Sequence, residues 1–145
     1  MPTPAAKCCL HNCTGAAQKR FCPANLKYRR HIRDRYDAEL HTNVRRPVKS
    51  ETVQYYCARV SAEDRNPLIT YLADKKIHTS VHFKPLYLYN AIKPHLTFRG
   101  KSDVLYPISN VEWLKLISLP CHNGMTEDDI TYVIYWVNKY YADNG

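Results

Sequence analysis

Two histidines and a proline define the chemistry available in the middle of the chain, in residues 77–86. His78 and His82 are four residues apart, a spacing that on a helix would place both rings on one face for a shared metal ion. The intervening residues are β-prone and Pro85 follows closely, so the segment predicts a strand. On a strand the two Cα atoms are about 13 Å apart, too far for one ion. We therefore predict no metal at this pair.

Cysteine and histidine are also concentrated near the N-terminus, where their soft ligand atoms could bind zinc. The residues concerned are Cys8, Cys9, His11, Cys13 and Cys22. Structural zinc sites usually combine two separated Cys-x2-4-Cys pairs, and the sequence has no second pair. We therefore expect residues 1–25 to be an irregular or disordered leader, and we predict no metal site in the chain.

Basic residues are concentrated between Lys19 and Lys49, in a chain whose formal net charge is +8. Within this stretch a helix is predicted at 24–40, and its arginines flank an apolar stripe that has helical spacing. The stripe consists of Leu26, Ile32, Tyr36 and Leu40. The arginines could bind the phosphates of nucleic acid or of a nucleotide-linked substrate. The alternative, which we favour, is a solvated helix face or one that meets an acidic partner.

The elements that must position these residues fit one domain, since 145 residues suffice for a single core. The predicted order is a helix at 24–40, a strand at 52–60, a helix at 65–76, the strand-like segment at 77–86, a helix at 108–116 that Pro120 ends, and a final helix. Asn66-Pro67 is read as a helix start, with the proline in the first turn. The fold class predicted is α/β, of the α+β sandwich type, with helices packed on a small sheet of two to three strands.

The C-terminal helix has the clearest local pattern in the sequence. Thr126 is a predicted N-cap with Asp129 three residues later, and acidic residues favour a helix N-terminus. Apolar residues then recur at helical spacing and should face the core: Ile130, Val133, Ile134, Val137, Tyr140 and Tyr141.

Several classes of protein are excluded by what the sequence lacks. It has no apolar run of membrane-spanning length and no signal-peptide core, so we expect a cytoplasmic protein. It also lacks a dinucleotide fingerprint, a P-loop, a nucleophile elbow and a zinc-protease motif. Its four glycines are scattered, which leaves no glycine-rich loop to hold a phosphate.

Four stretches, in order, resemble the DegT/DnrJ/StrS family of sugar aminotransferases, which depend on pyridoxal phosphate. Residues 77–86, Ile-His-Thr-Ser-Val-His-Phe-Lys-Pro-Leu, resemble the GI-x-T-x-VHF-x-PL element of that family's small C-terminal domain. Residues 26–40 are similar to its long linking helix, 110–120 to its LSLP segment, and 125–134 to the start of its last helix. The resemblance covers about residues 26–141, so we expect 26–145 to form such a small domain.

The resemblance implies an inactive fragment, because the family's large domain carries the Schiff-base lysine and the phosphate-binding residues, and no such domain is recognisable here. No catalytic or cofactor-binding residue is therefore assigned. The partner would be the missing large domain or a homodimer partner, and the intact enzyme would move an amino group onto a nucleotide-linked keto sugar. His82, Phe83 and Lys84 would contact that substrate. At Lys76 the family pattern has a glycine, and a left-handed helix-cap conformation of this lysine, if the fold requires it, would cost about 1 kcal/mol.

The alternative function is a non-enzymatic basic module that binds nucleic acid through residues 26–40. RNA-binding proteins interleave exposed aromatic residues with basic ones. The twelve tyrosines of this chain lie mainly at predicted strand and helix-core positions. Nucleic acid is therefore the less favoured partner.

Overall fold

The computed structural model describes residues 15–51, 53–92 and 106–144, with side chains from residue 24 onward. Four helices lie in these ranges: α1 at Gly15–Glu39, α2 at Ala62–Asp74, α3 at Pro107–Lys115 and α4 at Glu127–Asn144. Two strands, β1 at Tyr56–Arg59 and β2 at Leu116–Leu119, form one antiparallel sheet, and a 3₁₀ turn occupies Leu86–Leu88. The predicted α/β fold with a small sheet and long terminal helices is confirmed.

The sheet is shorter than predicted, and one of its strands was missed. β1 covers four of the nine residues predicted as a strand, and β2 occupies a stretch that was read as the broken end of a helix. Tyr56 pairs with Leu119 and Arg59 pairs with Leu116. Isolated bridges continue the pairing at both edges: Arg45 pairs with Arg59, and Ser80 pairs with Ser118. The prediction of a strand at 77–86 was therefore wrong, since Ser80 is the one residue of this segment that pairs with the sheet.

Helix α4 supplies much of the core. The six residues predicted to face inward are all buried, and they pack with buried residues of α1 and α2. The helix start is a reciprocal cap, in which the Thr126 backbone N–H donates to Asp129 Oδ2 at 2.7 Å and the Asp129 N–H donates to Thr126 Oγ1 at 3.1 Å. The Thr126 N–H and the Thr126 hydroxyl both donate to the Asp129 carboxylate, and these two bonds lower the pKa of Asp129 below its usual value.

Helix α1 starts earlier than predicted. It begins at Gly15 rather than at residue 24, so residues 15–25, which we expected to be irregular, are helical. Ile32, Tyr36 and Leu40 of the predicted stripe are buried, and Leu26 is half-buried. The leader residues 1–14, with Cys8, Cys9, His11 and Cys13, lie outside the described residues.

Helix α2 also starts earlier than predicted, because Ser61 caps it by accepting the Asp64 N–H at 3.0 Å. Pro67 therefore lies inside the helix rather than in its first turn. The helix ends in a Schellman motif, where the Lys76 N–H donates to Ala73 O and the Ile77 N–H to Leu72 O, both at 2.9 Å. Lys76 has a φ of 61°, a left-handed backbone that costs about 1 kcal/mol relative to glycine.

None of the described helices combines the length and the apolar composition that a membrane-spanning helix needs.

Candidate functional site

Ser118, which is buried at the centre of β2, fixes the position of the predicted site segment. Its backbone exchanges two hydrogen bonds with Ser80, at 3.0 and 2.7 Å. Its side-chain Oγ lies 2.8 Å from Nδ1 of His82. The peptide bond that follows His82 is cis. Residues 80–82 are thus tied to the core although they form no regular strand.

The His82 ring is half-buried between aromatic neighbours. It stacks on Tyr55 with a centroid distance of 4.7 Å and an interplanar angle of 6°, and Phe83 meets it edge-on at 4.9 Å. Because Nδ1 is occupied by Ser118, Nε2 is the nitrogen that can reach a ligand. Sequence reasoning missed Ser118 and Tyr55, since both come from distant segments and neither carries a spacing signal.

Phe83 and Lys84 line a shallow groove that is largely apolar. The groove, which we call the Phe83 groove, is formed by Phe83, Lys84, Pro85, Leu86, Tyr89 and Ile92. The exposed fractions of Phe83 and Leu86 are 72% and 67%. The Lys84 ammonium lies 5.3 Å from the centre of the Tyr89 ring, within cation–π range. Phe83 and Lys84 therefore line the same groove. His82 does not line it, because its ring is stacked on Tyr55.

A second exposed apolar surface lies on α3. This helix has no buried residue, and Ile108, Val111 and Leu114 expose their side chains along one face. It is linked to the 3₁₀ turn through Tyr87, whose hydroxyl donates to Asn110 Oδ1 at 2.9 Å. The apolar spacing of α3 predicted the helix correctly, but its apolar face is exposed rather than buried.

The arginines of α1 bind groups within the described chain. Between α1 and β1 lies a segment that we call the connector. Arg29, Arg30 and Arg33 donate to its backbone carbonyls at Gln54, Glu51 and Ser50 respectively, at 2.7 to 2.8 Å. Arg35 contacts Glu39, and it also donates to Glu127 at the start of α4. These guanidinium groups hold the fold together, so fewer cations face a phosphate backbone than the net charge indicates. The contacts count against the nucleic-acid reading of residues 26–40.

Several buried groups of the core have shifted pKa values. Burial raises the pKa of the Tyr36, Tyr56 and Tyr141 hydroxyls. Burial also raises the pKa of the Cys121 thiol, which is the opposite of what a nucleophilic cysteine needs. Within the described ranges, no three His, Cys, Asp or Glu side chains gather as a metal site would require.

Pyridoxal phosphate does not fit the Phe83 groove. The cofactor needs a lysine amine, an acid for its ring nitrogen and several donors for its phosphate. The groove offers Lys84 and otherwise apolar or aromatic side chains. The described residues could therefore border a substrate, but this groove would not hold the whole cofactor.

Comparison with known proteins gives a consistent result. Residues 14–138 match the model of the DegT/DnrJ/EryC1/StrS aminotransferase family. The uncharacterized protein MJ1066 of Methanocaldococcus jannaschii is 36% identical over 83 residues, which cover 56% of this chain and 20% of that protein. This chain therefore spans about a fifth of that curated relative's length.

Solved structures of aminotransferases resemble most of the described chain. The PLP-form of Spr1654 from Streptococcus pneumoniae, assigned as a sugar aminotransferase, has a TM-score of 0.77 and 30% identity, covering 89% of this chain and 34% of its own. The aminotransferase TlmJ from Streptoalloteichus hindustanus has a TM-score of 0.74 and 26% identity, covering 90% of this chain and 35% of its own. The chain thus spans about a third of these solved structures.

Proposed function

Because the chain belongs to the DegT/DnrJ/EryC1/StrS aminotransferase family, we propose that it is the C-terminal small-domain part of a pyridoxal-phosphate-dependent aminotransferase. The observation that carries this proposal is its likeness to one third of Spr1654, a protein solved in its PLP- and PMP-forms. The substrate we propose is a nucleotide-linked keto sugar, the amino donor is glutamate, and the location is the cytoplasm.

In this proposal the segment from His82 to Lys84 borders the sugar site. His82 Nε2 and the Lys84 ammonium would donate hydrogen bonds to substrate oxygens, and the exposed Phe83 ring would contact an apolar face of the sugar. The proposal is supported by the position of His82, whose Nδ1 bond to Ser118 and stacking on Tyr55 hold the ring in one orientation. A preoriented donor costs less conformational entropy when it binds.

The proposed partner is the domain that carries the cofactor lysine, whether in another polypeptide or in a homodimer partner. Two surfaces are suited to that contact: the Phe83 groove and the exposed face of α3. Clustered apolar side chains on a surface often mark an interaction site. We propose that the chain alone is inactive because the groove lacks the donors that the cofactor needs.

A chimera tests the proposal. Residues 14–138 of this chain would replace the matched third of Spr1654, and the hybrid would be purified with pyridoxal phosphate. We expect it to retain the cofactor and to convert it to the amino form when glutamate is added, followed by absorbance. Adding a nucleotide-linked keto sugar should then restore the original spectrum.

The site assignment is tested within the same chimera. His82→Ala and Lys84→Ala should raise KM for the sugar by about tenfold each, since each removes one hydrogen bond to a ligand, while the reaction with glutamate stays unchanged. Lys139→Ala on α4 is the matched control, because its ammonium pairs with Asp143 far along that helix. A chimera that folds and binds the cofactor but responds equally to all three substitutions would contradict the assignment.

Inactivity of the isolated chain has its own test. Borohydride reduction after incubation with pyridoxal phosphate should give no stoichiometric adduct at one lysine, measured by intact mass and peptide mapping. One saturating adduct, together with transamination by the chain alone, would refute the proposal.

A further inference from the structure

A second cleft, which shares no lining residue with the Phe83 groove, has no role in the proposed function. It lies between the C-terminal end of α2, the turn that follows β2, and the first turns of α4, and we call it the α2–α4 cleft. Its volume is about 720 Å³. Small-molecule sites are usually clefts of about 300–1,000 Å³ with an apolar lining and a few convergent polar groups.

The floor of the α2–α4 cleft is apolar. Ile77, Met125 and Val133 line it, and their exposed fractions are only 4%, 6% and 4%. Tyr132 forms one wall, and its hydroxyl donates to the Lys75 carbonyl at 3.3 Å. The Tyr28 hydroxyl donates to the Met125 carbonyl at 2.7 Å, which fixes the floor from behind. The apolar floor suits the apolar body of a ligand. Hydrogen bonds to the backbone hold the floor and the Tyr132 wall in place.

The rim of the cleft carries three exposed nitrogen groups, on Lys76, His78 and His122, which we call the rim donors. Neither Lys76 nor His78 forms a side-chain hydrogen bond or ion pair with another described residue. His122 accepts the Gly124 N–H at Nδ1, at 3.3 Å, so a neutral ring carries its proton on Nε2 and can donate it.

The other charged groups of the cleft are already engaged. The Lys75 ammonium lies 4.5 Å from the centre of the Trp136 ring and 5.5 Å from that of Tyr71. Asp129 is the one acid that lines the described cleft, and its Oδ2 accepts hydrogen bonds from the N–H and the hydroxyl of Thr126. Apart from Asp129 Oδ1, the groups left for a ligand are therefore the rim donors, of which Lys76 is a cation.

The backbone at Lys76 supplies a separate observation. A left-handed backbone position is normally occupied by glycine, and here it carries a lysine whose ammonium reaches the rim. The Schellman motif at the end of α2 accounts for this conformation, and it holds the Lys76 side chain beside the cleft. The strain and the unpaired cation thus occur at the same residue.

We propose that the α2–α4 cleft binds a small amphiphilic anion, in which a phosphate or carboxylate contacts the rim donors and an apolar ring or chain covers the floor. This site is independent of the proposed sugar site, since none of its lining residues belongs to the Phe83 groove. Its binding needs no cofactor and no second domain.

The test is an amide NMR titration of the 145-residue chain with four probes. Phenyl phosphate and benzoate carry both halves of the proposed ligand, inorganic phosphate carries only the anion, and benzyl alcohol carries only the apolar body. We expect the first two to shift the amides of residues 76–78 and 122–125, and to bind at least about tenfold more tightly than the single-half probes, because either half alone leaves one set of contacts unmade. Whichever of the two binds tighter identifies the anionic group.

Two variants locate the anion. Lys76→Gly should weaken phenyl phosphate binding about tenfold, since a charge-assisted hydrogen bond is lost while the left-handed backbone is retained. His122→Asn keeps an acceptor for the Gly124 N–H and should weaken binding several-fold. Lys139→Ala is the matched control, because its ammonium pairs with Asp143 and does not line the cleft, and it should bind as the unmodified chain does.

Three results would overturn the proposal. The first is equal affinity for phenyl phosphate and inorganic phosphate, which would indicate ion pairing with a basic surface alone. The second is a set of shifts centred on residues 83–89, which would place the probe in the Phe83 groove. The third is unchanged affinity in Lys76→Gly with its fold intact by the same spectra.

Discussion

The inner face of α4 and the Phe83 groove contain similar side chains and use them in opposite ways. Apolar and aromatic residues of α4, such as Ile130 and Tyr141, are at most 7% exposed along the inner face. Phe83 and Leu86 are about ten times more exposed. Burying an apolar side chain of this size contributes roughly 1.5–3 kcal/mol, so α4 stabilises the chain and the groove does not.

The difference shows which part of the chain is available to other molecules. A residue that is already buried in the core cannot be removed from water again by a partner. The side chains of the Phe83 groove and of α3 are still exposed, so a partner can bury them. Their burial would then stabilise a complex rather than this chain alone. We therefore expect the two regions to respond differently to substitution.

The largest expected difference is between Ile130→Ala and Leu86→Ala. Ile130 is fully buried, so its truncation leaves a cavity and should lower the free energy of unfolding by about 2–5 kcal/mol. Leu86 is exposed, and its truncation should change that energy by less than about 0.5 kcal/mol. Urea unfolding followed by circular dichroism measures both. A loss above 1 kcal/mol for Leu86→Ala would show that the groove is part of the core.

Alkaline pH should separate core tyrosines from surface ones. Burial raises the pKa of Tyr36, Tyr56 and Tyr141 above the ordinary value of 10, so in the folded chain they stay neutral when the unfolded chain ionises. The free energy of unfolding should therefore be unaffected by these groups below pH 10. It should fall above pH 10 by about 1.4 kcal/mol per pH unit for each such tyrosine.

The check on this prediction is a pair of phenylalanine variants. Tyr56 donates a hydrogen bond to Asp37 Oδ1 at 2.9 Å in the core, so Tyr56→Phe should lower stability by about 1 kcal/mol at neutral pH and reduce the alkaline slope. Tyr89→Phe in the Phe83 groove should leave both unchanged. If the free energy of unfolding fell equally steeply with pH in both variants, burial of Tyr56 would be ruled out as the cause of the alkaline loss of stability.

The cap of α4 should contribute a smaller, local effect. Thr126→Ala removes the acceptor for the Asp129 N–H and should cost about 1 kcal/mol, measured by thermal unfolding. The pKa of Asp129 is lowered in the folded chain, so its ionised carboxylate stabilises the fold. This stabilisation is fully present above the ordinary pKa of 3.8, and it is lost as the pH falls through the lower pKa of the folded chain. Asp129→Asn should therefore differ from the unmodified chain at pH 7 and match it in strong acid.

The smallest effect expected is a gain in stability. Lys76→Gly relieves the left-handed strain at the end of α2, and it should raise the free energy of unfolding by up to about 1 kcal/mol. The greater freedom of glycine in the unfolded chain offsets part of this gain. A decrease in the melting temperature would show that the Lys76 side chain stabilises the fold through contacts of its own.

The sequence was sufficient where local signals agreed. The cap at Thr126, the apolar period of α4 and its buried set all point to the same helix, and the structure confirms each of them. The fold class followed from such segments together with the family resemblance. Only the resemblance drew attention to the backbone of Lys76, because the family has a glycine at that position.

The sequence was insufficient where distant partners decide the structure. Leu116–Leu119 continues the apolar pattern of α3, and it becomes a strand because β1, about sixty residues earlier, pairs with it. Ser118 and Tyr55 hold His82 through contacts that no spacing reveals. The arginines of α1 bind carbonyl oxygens of the connector, and any residue type supplies a carbonyl. The roles of His82, Phe83 and Lys84 stay predictions that the chimera will test.

The single-residue bridges at the two edges of the sheet also affect how copies of the chain can meet. An open strand edge presents unpaired amide groups that can align with the same edge of another molecule and seed fibrils. Arg45 covers part of β1 and Ser80 covers part of β2, so neither four-residue strand offers a full-length template. If copies of the chain associate, we therefore expect contact through exposed side chains, which a mild detergent or a bound partner can reverse.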